Sequence, residues 1–271
     1  MTALKHPPIL THKDHAAPSV FTVENLLREA RRQKSIPEGK IPGICILDPD
    51  GDIVQKLIET GQAQINPNWA CYHTRLYNFV HEGIEFGIVG CAVGASFAVL
   101  VAEEMFASGC KLLISMTSAG QIVSKGKTPY FVLIERALRD EGTSYHYLPP
   151  ASYSSIRPEL IECFKDILQH SKPPVFMGTT WTTDAPFRET EKAIACCQLE
   201  GILGVEMEAA ALYAFAEAKG QQVICFAHIT NQMGSVENDF EKGAEGGSLD
   251  ALQLISQAAK GWQNCPDLRQ K

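Results

Sequence analysis

Short, almost uninterrupted apolar runs alternate with longer amphipathic ones over most of the chain. Ile44 to Leu47, Phe86 to Val89, Leu112 to Met116, Tyr130 to Ile134, Val175 to Met177, Ile202 to Val205 and Val223 to Ala227 are predicted strands. Their lack of a polar side suits strands covered on both faces by helices. Between them Val23 to Lys34, Ser96 to Ala107, Pro158 to Gln169, Glu206 to Lys219 and Leu249 to Trp262 read as helices. Gly109 and Gly220 stand where two of these should stop. No repeat, low-complexity segment or linker-like stretch breaks the alternation. The pattern predicts a single α/β domain over 21–271 with a buried, mixed sheet, preceded by a mobile tail over 1–20.

Composition narrows the function classes. With 45% hydrophobic and 20% charged residues among 271, the chain can bury a sizeable core. Its formal charge of -7 excludes a nonspecific nucleic-acid binder, which needs a clustered basic footprint. The basic cluster Arg28, Arg31, Arg32 and Lys34 reads as a solvated helix face. No run approaches the roughly 18 apolar residues of a membrane helix, and the first twenty residues lack a signal-peptide core, so no membrane partner and a cytoplasmic location are expected. Nine cysteines, an odd number without CxxC spacing, read as reduced thiols, vicinal Cys196 and Cys197 included. His12 and His15 lie in the tail, a poor preorganised site, and no metal is expected.

Ligands of α/β proteins gather where strand ends meet helix starts, and three such junctions are chemically unusual. The first, Gly87-Ile88-Val89-Gly90-Cys91-Ala92-Val93-Gly94, runs a strand into a turn of small residues. It lacks the GxGxxG dinucleotide fingerprint; exposed N–H groups for an anion and close helix–sheet packing both account for it. The second, Ser115-Met116-Thr117-Ser118-Ala119-Gly120, reads as a turn whose small hydroxyl residues suit a sugar or phosphate, or as an ordinary turn. The third, Gly204-Val205-Glu206-Met207-Glu208-Ala209-Ala210-Ala211-Leu212, places two carboxylates around a Met where a strand becomes a helix. Helix capping explains one carboxylate; a carboxylate gripping a cis-diol above an apolar Met explains the pair.

These residues carry a resemblance. Val205 to Ala211 is similar to the ribose-binding signature of the nucleoside phosphorylase superfamily. Arg139-Asp140-Glu141-Gly142-Thr143-Ser144-Tyr145-His146-Tyr147-Leu148-Pro149 and the segment from Gly178 to Thr190 are similar to two further segments of its uridine phosphorylase-like branch, in the same order. The resemblance implies a nucleoside phosphorylase-like fold with a mixed, partly barrel-like central sheet flanked by helices. It implies a homo-oligomer, dimer or hexamer, and reversible cleavage of a ribonucleoside to free base and ribose 1-phosphate, with inorganic phosphate as co-substrate and no other cofactor. It implies that Glu208 binds the ribose hydroxyls with Met207 under the sugar, Glu206 nearby and Thr117 between ribose and phosphate. Ser118 and Ala119 would line the base, Pro186 or Phe187 stack on it, and Asn231 and Gln232 activate it.

The departures from the resemblance are as informative. The phosphate loop, elsewhere Gly-Asp-Pro followed by an arginine, is here Leu47-Asp48-Pro49-Asp50-Gly51-Asp52. A second phosphate arginine aligns with Ile114, and a third near Tyr72, leaving Arg75, with Gly94 and Thr117, as the phosphate candidates. Arg136, Arg139 and Arg188 are the other cations that could refill the site. At the base end Gln232 stands for an arginine, Thr190 and Lys192 for a glutamine–arginine pair, and Asn231 for an aspartic acid. An N-terminal histidine aligns with Thr22. A dianion without arginines would forgo hydrogen bonds worth about 1.5–3 kcal/mol each. Two alternatives to phosphorolysis therefore stand: a nucleoside hydrolase using water, and a non-catalytic nucleoside-binding protein. The acidic, glycine-rich Gly234 to Gly247 reads as a lid over the base or a plain exposed loop.

Overall fold

The computed structural model describes residues 7–171, 174–233, 237, 239–265 and 268, without the side chains of 165–170. Ten strands form one sheet: β1 (Ile44–Asp48), β2 (Gln64–Ile65), β3 (Tyr77–His81), β4 (Ile84–Gly90), β5 (Leu112–Gln121), β6 (Tyr130–Asp140), β7 (Tyr153–Ser155), β8 (Val175–Thr183), β9 (Gly204–Glu206) and β10 (Val223–Asn231). The order β10-β6-β8-β9-β5 closes on itself because β10 also pairs with β5, giving a five-stranded barrel. From β5 the sheet continues outward through β1, β4, β3 and β2. The expected mixed, partly barrel-like sheet is present, with parallel β1–β5 and β5–β10 pairings beside an antiparallel β6–β10 pairing.

Among the described residues eight α-helices cover it: α1 (Val23–Lys34), α2 (Asp52–Glu59), α3 (Ala95–Ala107), α4 (Ser144–Tyr147), α5 (Pro158–His170), α6 (Glu191–Leu199), α7 (Ala209–Lys219) and α8 (Ser248–Gln263). Local chemistry sets their ends. In α1 the Thr22 hydroxyl accepts from Asn25 N, Ser35 closes the helix in the left-handed region, and Arg31, Arg32 and Lys34 face the negative end of its dipole. Arg31 is not merely solvated: its guanidinium donates to the carbonyls of Pro37 and Asn68. In α7, Ala209 to Ala216 are all buried, and the small alanines let the helix lie closely against the sheet and α3. Gly220, at φ 66°, ends it as expected.

Several expectations are corrected. The segment from Ser115 to Gly120 is not a turn but the second half of β5, because β10 pairs with it as far as Gly120. Helix α7 begins at Ala209 and not at Glu206, which pairs in β9 with Thr182 of β8. The cysteines are not all free thiols: Cys163 and Cys265 are disulfide-bonded, their Cα atoms 6.3 Å apart and 102 residues apart in sequence. Packing of α5 on α8 brings them together, a proximity no spacing rule could give. Seven other cysteines, Cys196 and Cys197 among them, are free. In the tail, Lys13 Nζ lies 2.8 Å from His146 Nδ1 and His15 Nε2 lies 3.2 Å from the Tyr145 carbonyl. No helix among the described residues is long and apolar enough to cross a membrane.

Candidate active site

The site follows from a gap in the pairing of β5. On one side β5 bonds β10 from Leu113 onward. On its other side β1 accompanies it from Leu112 to Ser115, and β9 joins only at Gly120 and Gln121. Thr117, Ser118 and Ala119 thus lie where the sheet divides, at the carboxyl ends of parallel β1 and β5, the place where open α/β sheets bind ligands.

Glu208 fills this division. It is the N-cap residue of α7, 1% exposed, and its side chain reaches away from its own helix. One carboxylate oxygen accepts from Gly94 N at 2.7 Å, the other from the Thr117 hydroxyl at 2.8 Å and from Met207 N at 3.3 Å. Gly94 presents its N–H there from a φ of 89°, a backbone conformation L side chains rarely adopt. Burial, and secondarily the neighbouring Glu206 carboxylate, push the Glu208 pKa up to about 7 despite these three donors.

Glu206 does something different. Its buried carboxylate takes four donors: Glu208 N and Ala209 N, each at 2.7 Å, the Thr180 hydroxyl at 3.0 Å and the Thr182 hydroxyl at 2.5 Å. Thr182 in turn accepts from Ala210 N at 2.9 Å. Together these groups satisfy the first N–H groups of α7, which otherwise have no intrahelical partner. Glu206 therefore fixes the backbone that carries Glu208 and has its oxygens turned to the helix start.

Of the other expected site residues, Thr117 and Gly94 are brought to Glu208, with Met207 half-buried beside it, while Ser118 lines the adjoining cavity. Ala119 is buried in β5. Asn231 pairs with Gly120 at the end of β10, where its amide donates to the Thr230 hydroxyl and accepts from Met233 N. Gln232 is exposed, and its N–H donates to Asp239. Pro186 and Phe187 are not brought to Glu208 in this arrangement. They lie on a short 3-10 turn after β8 (Pro186–Arg188), with the Phe187 ring 99% exposed. Arg75 is exposed ahead of β3. Arg136 donates to Thr179 and stacks over Tyr153, and buried Arg139 holds the Ser144 hydroxyl and the Leu148 and Pro149 carbonyls. These two guanidiniums are thus committed to the fold. Of the expected lid, residues 234–236 and 238 lie outside the described residues.

Three further groups, Asp48, His228 and Lys242, meet beyond Thr117, and two of them, His228 and Lys242, carried no signal in the sequence. A cavity of about 20 Å³ opens beside Thr117 and Ser118, bounded also by Asp48, Asp50, Asp52 and His228. Asp48, 2% exposed, accepts from Val54 N at 2.9 Å, so it ties β1 to the start of α2. Burial raises its pKa to about 7, with Asp50 and Asp52 adding to the effect. His228 stacks on Phe131 and is held down to about 4, chiefly by burial and next by the Lys242 charge. Lys242 reaches in to Asp50 at 2.9 Å and to Asp52. Asp48, Asp50 and Asp52 are visible as a sequence motif. His228 merely extended an apolar run, and Lys242 is 190 residues from its partner Asp52.

Comparison with known proteins agrees with this geometry. Residues 44–260 match the phosphorylase superfamily. The chain is 22% identical over 182 residues to a DeoD-type purine nucleoside phosphorylase of Colwellia psychrerythraea, covering 66% of this chain and 77% of that one. It is 23% identical over 150 residues to a guanosine phosphorylase of Halorubrum lacusprofundi, covering 54% and 61%. In fold it is similar to the crystal structure of uridine phosphorylase from Vibrio fischeri, with a TM-score of 0.66 at 23% identity, covering 82% of this chain and 93% of that one. The matched span runs from β1 through most of α8 and so takes in the divided sheet, the Gly94 turn and the Glu208 cap: the chain belongs to the phosphorylase superfamily.

Proposed function

We propose that this chain is a pentosyltransferase-type enzyme that cleaves the N-glycosidic bond of a ribonucleoside at Glu208. The observation that carries this reading is the placement of Glu208: a buried carboxylate, held by donors on both oxygens, at the division of the sheet. A carboxylate of that kind is matched by a cis-diol, which offers two adjacent hydroxyl donors. Cleavage makes the sugar oxocarbenium-like, and a fixed negative charge in a water-poor site stabilises that developing positive charge more than it stabilises the neutral ground state. Met207 supplies an apolar surface beside the sugar, and Asn231, one strand over at Gly120, is a donor for the departing base.

Family membership favours phosphate as the acceptor, while the acidic surroundings of the adjoining cavity favour water. The test of the function itself is independent of this choice. Purified protein is incubated with purine and pyrimidine ribonucleosides, with and without phosphate, and free base is measured. Base release abolished by Glu208→Ala is expected. No release from any nucleoside under either condition sinks the reading in favour of a binding protein.

A further inference from the structure

The cavity beside Thr117, whose hydroxyl donates to Glu208, is lined by groups suited to a neutral nucleophile. Its volume of about 20 Å³ is room for a single water. The polar residues that line it are Asp48, Asp50, Asp52, Thr117, Ser118, His228 and Ser248. The Lys242 ammonium, whose charge acts on His228, is engaged by Asp50 and Asp52. The charges facing Asp48 are those of Asp50 and Asp52 on the segment after β1, with Lys242 bound to both. His228 is 7% exposed, lines the cavity and has no hydrogen-bond partner among the described residues. It is therefore an unpartnered, deeply buried polar ring available to a small hydrogen-bonding ligand. A phosphate dianion would meet three carboxylates here, in a space too small for it.

We propose that this cavity holds the attacking water of a hydrolytic cleavage, with Asp48 accepting its proton and His228 orienting it. This rests on the glycosidic cleavage of the proposed function and puts water in place of a transferase acceptor, so that the reaction is a hydrolysis. The water oxygen bonds to the sugar anomeric carbon as the carbon–nitrogen bond breaks. The bonding pair leaves with the base nitrogen, which takes a proton from solvent, while the proton lost by the water passes to the Asp48 carboxylate. The products are free ribose and free base, and no further reactant is needed. Thr117 joins the two halves of the site, since the residue lines the cavity and its hydroxyl donates to Glu208. Asp48 is buried but tied on one oxygen to Val54 N, which holds the carboxylate in place at the end of β1.

The experiment uses the intact chain and the nucleoside that gives the fastest base release. In isotopically labelled water the released ribose should carry one label, and the rate should not change as phosphate is raised. Asp48→Asn should lower kcat by about 10²–10⁴-fold, the usual yield of a general base, with KM little changed because the Glu208 grip is intact. In the unaltered protein the rate should fall as pH drops through about 7, where Asp48 and Glu208 both become protonated. A rate proportional to phosphate with ribose 1-phosphate as product overturns the inference while leaving glycosidic cleavage standing. Full kcat in Asp48→Asn also overturns it. Absence of base release under all conditions overturns both readings. The labelling and phosphate arms need no variant, so a poorly folded Asp48→Asn does not blunt the test.

Discussion

Replacing Glu208 by glutamine should make the protein more stable at alkaline pH while destroying its activity. The folded-state pKa of Glu208 is raised from its ordinary 4.5 to about 7. Between those values the folded chain holds a proton that the unfolded chain has released, so stability falls as pH rises through that window and is level above it. At about 1.4 kcal/mol per pH unit, the full penalty for carrying the buried charge is about 3 kcal/mol. Glutamine removes the charge and keeps most of the bonding. Its oxygen can still accept from Gly94 N, and its amide can donate to the Thr117 oxygen, whose proton can turn to the Ser118 carbonyl 3.3 Å away. The weak bond from Met207 N is lost, at a cost of about 1 kcal/mol. A net gain of about 2 kcal/mol is therefore expected at about pH 8.5, shrinking toward zero or below near about pH 5. Urea unfolding of both proteins at the two pH values measures this directly, and base release measures the activity. A variant less stable than the parent at high pH, or a difference that does not grow with pH, would refute the assignment of Glu208 as a charge held at a folding cost for function.

Other outcomes follow from the same geometry. Thr182→Val removes a donor to Glu206 and the acceptor of Ala210 N, and should cost about 1–3 kcal/mol in urea unfolding, with a parallel loss of activity as Glu208 is displaced. Phe187→Ala should leave stability within about 0.5 kcal/mol, because the ring is 99% exposed; a rise in KM for nucleoside would show that the ring folds onto the base when substrate binds. Cys163→Ser opens a cross-link spanning 102 residues and should lower stability by about 4–5 kcal/mol on the chain-entropy estimate, read as a reduced melting temperature that thiol reductant reproduces in the parent protein.

What could be read from the chain was whatever depends on neighbours in sequence. Runs such as Leu112 to Met116 and Val223 to Ala227 announced buried strands because both their faces are covered, and α1 was legible to the residue because Thr22 and the basic last turn mark its ends. The strand ends were not legible: β5 and β10 run on through Thr117, Ser118, His228 and Asn231, since pairing across the barrel holds polar residues in strands that local preference would end. Strand β3 and helices α2 and α6 were likewise not singled out as elements, being short or mixed in character.

The Glu206-Met207-Glu208 motif pointed to this junction, and its resemblance to a nucleoside phosphorylase agrees with the superfamily match. It could not say that the two carboxylates divide the work. Only the folded chain sets Glu206 against Thr180, Thr182 and the first amides of α7, and Glu208 against Gly94 and Thr117. Those partners lie 24 to 114 residues away, apart from the adjacent amides. Sequence alone determined most of the longer elements and the Glu206-Met207-Glu208 motif, because periodicity, caps and motifs are local. The closed barrel, the gap beside Thr117 and the corner shared by Asp48, His228 and Lys242 were decided by tertiary structure. They depend on which distant strands meet, and on how burial then sets the charge of the groups trapped between them.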